Sequence, residues 1–172
     1  EPFVSCIMPT HNRRRFVPLA IDHFQRQDYE ARELIIIDDG EDPIEDLVPA
    51  DERIRYFRLN RRLSVGAKRN LACEQARGGI IVHWDDDDWQ APHRIRCQVE
   101  TLLRENAELC GLNPVVFYDL TSGKGWLYQY PEGQFWVYGS TFCYRRELWE
   151  RHPFADVDVG EDNQFIWTAP SA

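Results

Sequence analysis

Short apolar runs and helix-spaced apolar positions alternate along the first half of the chain. Val4 to Met8 is apolar and is stopped by Pro9; Phe16, Leu19, Ala20 and Phe24 then recur at helical spacing. Leu34 to Ile37 is continuously apolar, as expected of a strand buried on both faces. These segments predict one β-α-β unit. A loop rich in Asp, Glu and Pro, from Asp38 to Asp51, leads to a third strand over Ile54 to Leu59. Ser64 is suited to cap a helix running through Ala76, with Val65, Leu71 and Ala72 inward and Gly78-Gly79 after its end. Ile80 to Trp84 predicts a fourth strand. Pro92 opens a helix with an apolar stripe of Ile95, Val99, Leu102 and Leu103. Aromatic-rich segments follow at Val115 to Leu120, Trp126 to Tyr130, Phe135 to Tyr138 and Thr141 to Tyr144, and predict antiparallel strands and loops around a cleft. The rhythm is that of an α/β sheet, and no repeat or linker divides it.

Composition narrows the options. With 172 residues, 43% of them hydrophobic, the chain can bury one sizeable core. Twenty Lys and Arg against 29 Asp and Glu give a net charge of −9, which repels nucleic-acid backbones and anionic lipid. The longest apolar runs are strand-sized, so no transmembrane segment is expected. Five scattered cysteines without a C-x-x-C pair argue against a disulfide framework or a zinc site and favour a reducing, cytoplasmic compartment. The chain opens Glu1-Pro2-Phe3 without an initiator Met, which suggests a trimmed sequence and leaves room for membrane association through missing segments.

Open α/β sheets bind ligands beyond the carboxyl ends of their strands. Here those ends read Pro9-Thr10-His11-Asn12, Asp38-Asp39-Gly40 and Asp85-Asp86-Asp87-Asp88. Four consecutive carboxylates repel one another, and a divalent cation would relieve that repulsion. Oxygen-only donors favour Mg²⁺ or Mn²⁺, with positions left for substrate phosphates. Capping of the next helix accounts for Asp88 alone. Asp39 can accept from a pyrimidine N3–H or a ribose hydroxyl, with Thr10 nearby; an Asp-Gly turn is the simpler alternative. Arg69 can meet phosphate or base, or be a solvated helix charge. Glu161-Asp162 either complements a helix dipole or supplies a general base.

Taken together, Val4 to Arg13, Leu34 to Gly40, Gly66 to Asn70, Trp84 to Trp89 with Pro92, and Gly160-Glu161-Asp162 resemble family-2 glycosyltransferases of the GT-A fold. The resemblance implies a mostly parallel central sheet flanked by helices, with a small antiparallel part in the second half. It implies a single catalytic domain over residues 1–172, truncated at its C-terminus. The implied reaction is an inverting transfer from a nucleotide-diphospho-sugar, usually UDP-linked, to an acceptor hydroxyl on a glycan, a lipid-linked sugar or another molecule. Carried over by position, Thr10, Asp39, Arg69, Asp85 and Asp86 are nucleotide contacts, and Asp87 is the metal ligand of the D-x-D element for Mn²⁺ or Mg²⁺. Asp162 is the catalytic base, with Glu161 beside it. Trp136, Tyr138 and Ser140 belong to the sugar and acceptor side. Glu41 stands where the family often has a small hydroxyl residue, and the absence of Q-x-x-R-W argues against a processive synthase. A non-catalytic nucleotide-sugar binding module and a nucleotidyltransferase are the alternatives.

Overall fold

The computed structural model describes residues 1–131, 133 and 135–168. Its elements are β1 (Val4–Thr10), α1 (Val17–Gln25), β2 (Arg32–Asp38), β3 (Ile54–Arg58), α2 (Val65–Gln75), β4 (Ile80–His83), α3 (Arg94–Arg104), β5 (Leu109–Cys110), β6 (Val115–Asp119), β7 (Lys124–Tyr128), β8 (Cys143–Arg145), α4 (Arg146–Arg151) and α5 (Glu161–Thr168). The main sheet has the order β3-β2-β1-β4-β8-β5, and β6-β7 form a separate antiparallel pair. The first four strands are mutually parallel, whereas β8 runs antiparallel to β4 and to β5. The chain steps outward from β1 to β3 and then returns to the other side of β1. That reversal opens a crevice between the ends of β1 and β4, where ligands of such sheets bind.

Alternation along β1 divides the core. Val4, Cys6 and Met8 face α1 and α3 on one side, while Ile7 faces α2, α4 and α5 on the other. All seven residues of β2 are buried, as its apolar run requires. The five cysteines are free thiols. No helix among the described residues is long and apolar enough to cross a membrane.

Several expectations need correction. Strand β1 continues through Pro9 to Thr10 rather than stopping. The Ile7 carbonyl faces β4, where it accepts from the Trp84 N–H, so Pro9 faces that side too, past the end of β4; its missing N–H therefore breaks no ladder bond. Leu19 and Leu103 are exposed, because Ile21 and Leu102 take the inward positions. In α2 the Ser64 cap is present, its hydroxyl accepting from the Ala67 N–H at 3.1 Å, yet the buried face carries Lys68 and Arg69 while Val65 and Leu71 are half-buried. Helix α3 begins after His93, so Asp88 caps nothing. Strand β5 and helix α4 were not anticipated; of the aromatic segments, Phe135 to Tyr138 is one of the loops.

Glycine at position 66 sets the distance between α2 and the segment leading into α5. A methyl group there would collide with the Ala155 carbonyl and press on the Glu161 side chain. Gly66→Ala is expected to lower the unfolding free energy by ~1–3 kcal/mol through overpacking, as measured by urea denaturation.

Candidate functional site

The sheet brings the sequence-predicted residues to one end. A cleft of about 180 Å³ opens there, lined by Thr10, His11 and Arg13 after β1, Lys68 and Arg69 of α2, and Asp85, Asp86 and Asp87 after β4. The strand-end residues are joined by buried hydrogen bonds. The Thr10 hydroxyl donates to Asp86 at 2.7 Å, and Lys68 Nζ donates both to the Thr10 carbonyl at 3.1 Å and to Asp39 at 2.8 Å.

Asp39 does not face the cleft directly. Its carboxylate is enclosed, one oxygen taking His11 and Lys68 and the other the Leu63 N–H at 2.8 Å. Burial acts to raise its pKa, but Lys68, the Leu63 amide and His11 together hold it below the usual value. Asp39 therefore anchors two side chains that line the cleft. Asp38 is a turn maker, accepting from the Gly40 N–H and from the Tyr56 hydroxyl, each at 2.8 Å.

The aspartate run divides by environment. Burial, only partly offset by the Thr10 bond, pushes the Asp86 pKa up to about 6, and Asp87 and Asp85 add to the effect. Asp88 is raised in the same way, chiefly by burial. Asp85 and Asp87 are the accessible pair, with side chains 30% and 41% exposed. Arg13 bonds Asp87 at 2.6 Å, and Arg69 lies 3.5 Å from Asp85. Among the described residues no three His, Cys, Asp or Glu side chains form a ready cage for a metal. Two accessible carboxylates with oxygen donors only fit a hard divalent ion that keeps coordination positions for phosphate.

Behind Arg69, α5 carries Glu161 and Asp162 in its first turn. Glu161 is buried 3.6 Å from Arg69 Nε, and its burial raises its pKa. The Asp162 carboxylate lies directly over Gly139, so closely that a methyl group on that glycine would collide with it. Burial raises the pKa of the Tyr138 phenol, and the charges of Asp88, Asp85, Asp162 and Asp87 add to the effect.

Not every expected role survives. Arg69 lines the cleft, but its side chain is only 5% exposed and is engaged with Asp85, Glu161 and His83, so it ties the two acidic sides together. Trp136 is covered, with Tyr130 stacked on it at 4.9 Å and its indole N–H donating to Asn163; it braces α5 and offers no free face to a sugar. Ser140 is buried in the turn after Tyr138. Lys68, His11 and Arg13 line the cleft and were not among the expected site residues. Lys68 was legible in principle, being the residue one turn past the Ser64 cap and so aimed with the helix N-terminus at the strand ends.

Comparison with known proteins adds a family. Residues 5–158 match the family model described as glycosyl transferase family 2, a span that ends just before Glu161 and Asp162. The GalNAc(5)-diNAcBac-PP-undecaprenol beta-1,3-glucosyltransferase of Campylobacter jejuni is 35% identical over 94 residues, which are 51% of this chain and 30% of that protein. Among solved structures, the mannosyltransferase PcManGT from Pyrobaculum calidifontis, in complex with GDP-Man and Mn²⁺, has a TM-score of 0.72 at 21% identity, covering 94% of this chain and 50% of that one. TarS of S. aureus in complex with UDP-GlcNAc has a TM-score of 0.76 at 17% identity, covering 97% and 53%. The fold is thus that of GT-A enzymes, and the chain spans about half the length of these structures or less of the curated relative.

The strained Asp86 gives a stability test. Its folded pKa of about 6 lies above the ordinary 3.8, so the folded state favours the protonated acid. The cost of ionisation is absent below the unfolded pKa and fully developed once pH passes the folded one. Asp86→Asn, which keeps an acceptor for Thr10, should therefore stabilise the chain by ~1–3 kcal/mol at pH 7.5 and by nearly nothing at pH 4. Urea denaturation at the two pH values reads the difference.

Proposed function

Because the chain belongs to glycosyl transferase family 2, we propose that it is a metal-dependent inverting glycosyltransferase that moves a sugar from a UDP-linked donor to an acceptor hydroxyl. The observation that carries the reading is the position of Arg69, whose guanidinium lies 3.5 Å from Asp85 of the aspartate run and 3.6 Å from Glu161, the neighbour of Asp162. A donor diphosphate and an acceptor hydroxyl need such acidic groups brought close together. The complexes of the solved relatives with GDP-Man and Mn²⁺ and with UDP-GlcNAc support both the donor class and the ion.

Asp87, with Asp85, would hold the divalent ion, and the ion would offset charge building on the departing diphosphate. Arg13 and Lys68 add positive charge along the same wall, and Lys68 holds Thr10 and Asp39 in register beneath the nucleoside. Asp162 takes the proton of the acceptor hydroxyl as its oxygen bonds to the anomeric carbon. The bond from that carbon to the phosphate oxygen breaks at the same time, and its electron pair leaves with the nucleoside diphosphate. One displacement inverts the anomeric centre, so no residue need act as a covalent nucleophile. Glu161 stays paired with Arg69, leaving Asp162 as the free carboxylate.

Two measurements test the proposal. In a thermal-shift screen of UDP, GDP and dTDP with Mn²⁺ or Mg²⁺, UDP with Mn²⁺ should give the largest rise in Tm; no response to any nucleotide would refute the donor site. Asp162→Asn should reduce sugar transfer by roughly 10² or more while leaving UDP affinity intact, and unchanged turnover would remove Asp162 from the base role.

A further inference from the structure

His83 ends β4 two residues before the aspartate run, and none of the chemistry above uses it. It is 1% exposed and lies among the rings of Phe142, Tyr144 and Phe154, at centroid distances of 5.1, 5.5 and 5.4 Å. The Gly139 carbonyl lies 2.7 Å from its Nδ1; the Arg69 guanidinium meets the same Nδ1 and lies 3.4 Å from Nε2, and the Tyr144 hydroxyl is 3.5 Å from Nε2. The imidazole thus links the guanidinium between Asp85 and Glu161 to the backbone beneath Asp162.

The bond to Gly139 is one of three of the same kind. The carbonyls of Gly139, Ser140 and Thr141 accept in turn from His83, from Arg94 Nη2 at 3.0 Å and from Gln98 Nε2 at 2.6 Å. All three donors are buried. Arg94 also holds the His83 carbonyl at 2.9 Å, so the end of β4 and the turn are clamped to each other. A turn fixed by ordinary packing needs no row of buried polar side chains, each of which is costly to bury unless its bonds are made. The row is placed where position matters: the Asp162 carboxylate rests on Gly139, and Tyr138 immediately precedes the turn.

We propose that His83 is a positioning residue for the acceptor side, fixing the Gly139 turn against which the Asp162 carboxylate is set. The inference rests on the base role given to Asp162 under the proposed function. His83 touches neither donor nor acceptor. Its effect is on geometry, and a displacement of about 1 Å at a base can cost on the order of 10² in rate without weakening ground-state binding.

The test compares His83→Leu, which removes the ring's polar contacts, with His83→Asn, whose Nδ2 can donate to the Gly139 carbonyl. Sugar-transfer kinetics and amide hydrogen exchange are read together on the full chain. His83→Leu should lower kcat by ~10–100-fold with the donor KM within about 3-fold, and His83→Asn should recover most of the loss. Exchange at the Thr141 and Phe142 amides should rise by about 10-fold or more in His83→Leu while β1 and β2 keep their protection. Unchanged kcat in His83→Leu, or unchanged exchange in the turn, would overturn the proposal. A loss in His83→Asn as large as in His83→Leu would overturn it too, because the Gly139 bond would then not be the cause. If His83→Leu does not fold, His83→Ala takes its place, with the same loss of kcat at constant KM expected and an unchanged kcat refuting. A wild-type chain that transfers no sugar would sink the functional reading instead, and exchange in the turn would still show whether His83 holds it.

Discussion

Carboxylates from three parts of the chain cannot meet around one cleft unless cations are built in among them. Arg69 is the central instance. Its guanidinium sits within 4 Å of Asp85 on one side and of Glu161 on the other, nearly out of contact with solvent. Lys68, the preceding residue, does the same for Asp39 on the neighbouring strand end. Both come from the first turns of α2, whose inward face would be apolar in an ordinary sheet-covering helix. Removing either partner would strand a buried charge, which is far more costly than the pair is stabilising. The fold therefore tolerates an acidic cleft only as long as α2 holds its place.

That dependence makes the irregular parts of the chain intelligible. Gly66 lets the 155–161 segment close on α2, which carries Glu161 to Arg69 and Asp162 to Gly139. Gly40 lets β2 end against Asn12, and a methyl group there would collide with the Asn12 backbone. In both places a side chain would separate groups that the cleft needs together. The aspartates after β4 are graded by the same surroundings: Asp86 and Asp88 are pressed toward their neutral forms by burial, while Asp85 and Asp87 remain accessible.

Much of this was legible in the sequence. The β-α-β rhythm, the Ser64 cap and the acidic strand exits are local signals, and the structure has each of them near its expected position. What was hidden depends on tertiary neighbours. Nothing in the residues around Asp39 reveals that Lys68, His11 and the Leu63 amide would enclose it. Trp136 reads as a sugar platform until Tyr130 is seen stacked on it. Pro9 reads as a strand stop because the sequence does not show that β4 ends one step earlier. Helix periodicity also misplaced Leu19 and Leu103, where Ile21 and Leu102 took the inward positions.

The β6-β7 pair stands outside the main sheet. It packs on the segment before the Gly139 turn through rings, Phe117 against Tyr138 and Tyr128 against Trp136, while Val116, Tyr118 and Leu127 point to solvent on its other face. Strand register in the central sheet therefore places no restraint on its composition. Descendants of this chain are free to rewrite the ribbon residue by residue, provided that two aromatic knuckles stay seated.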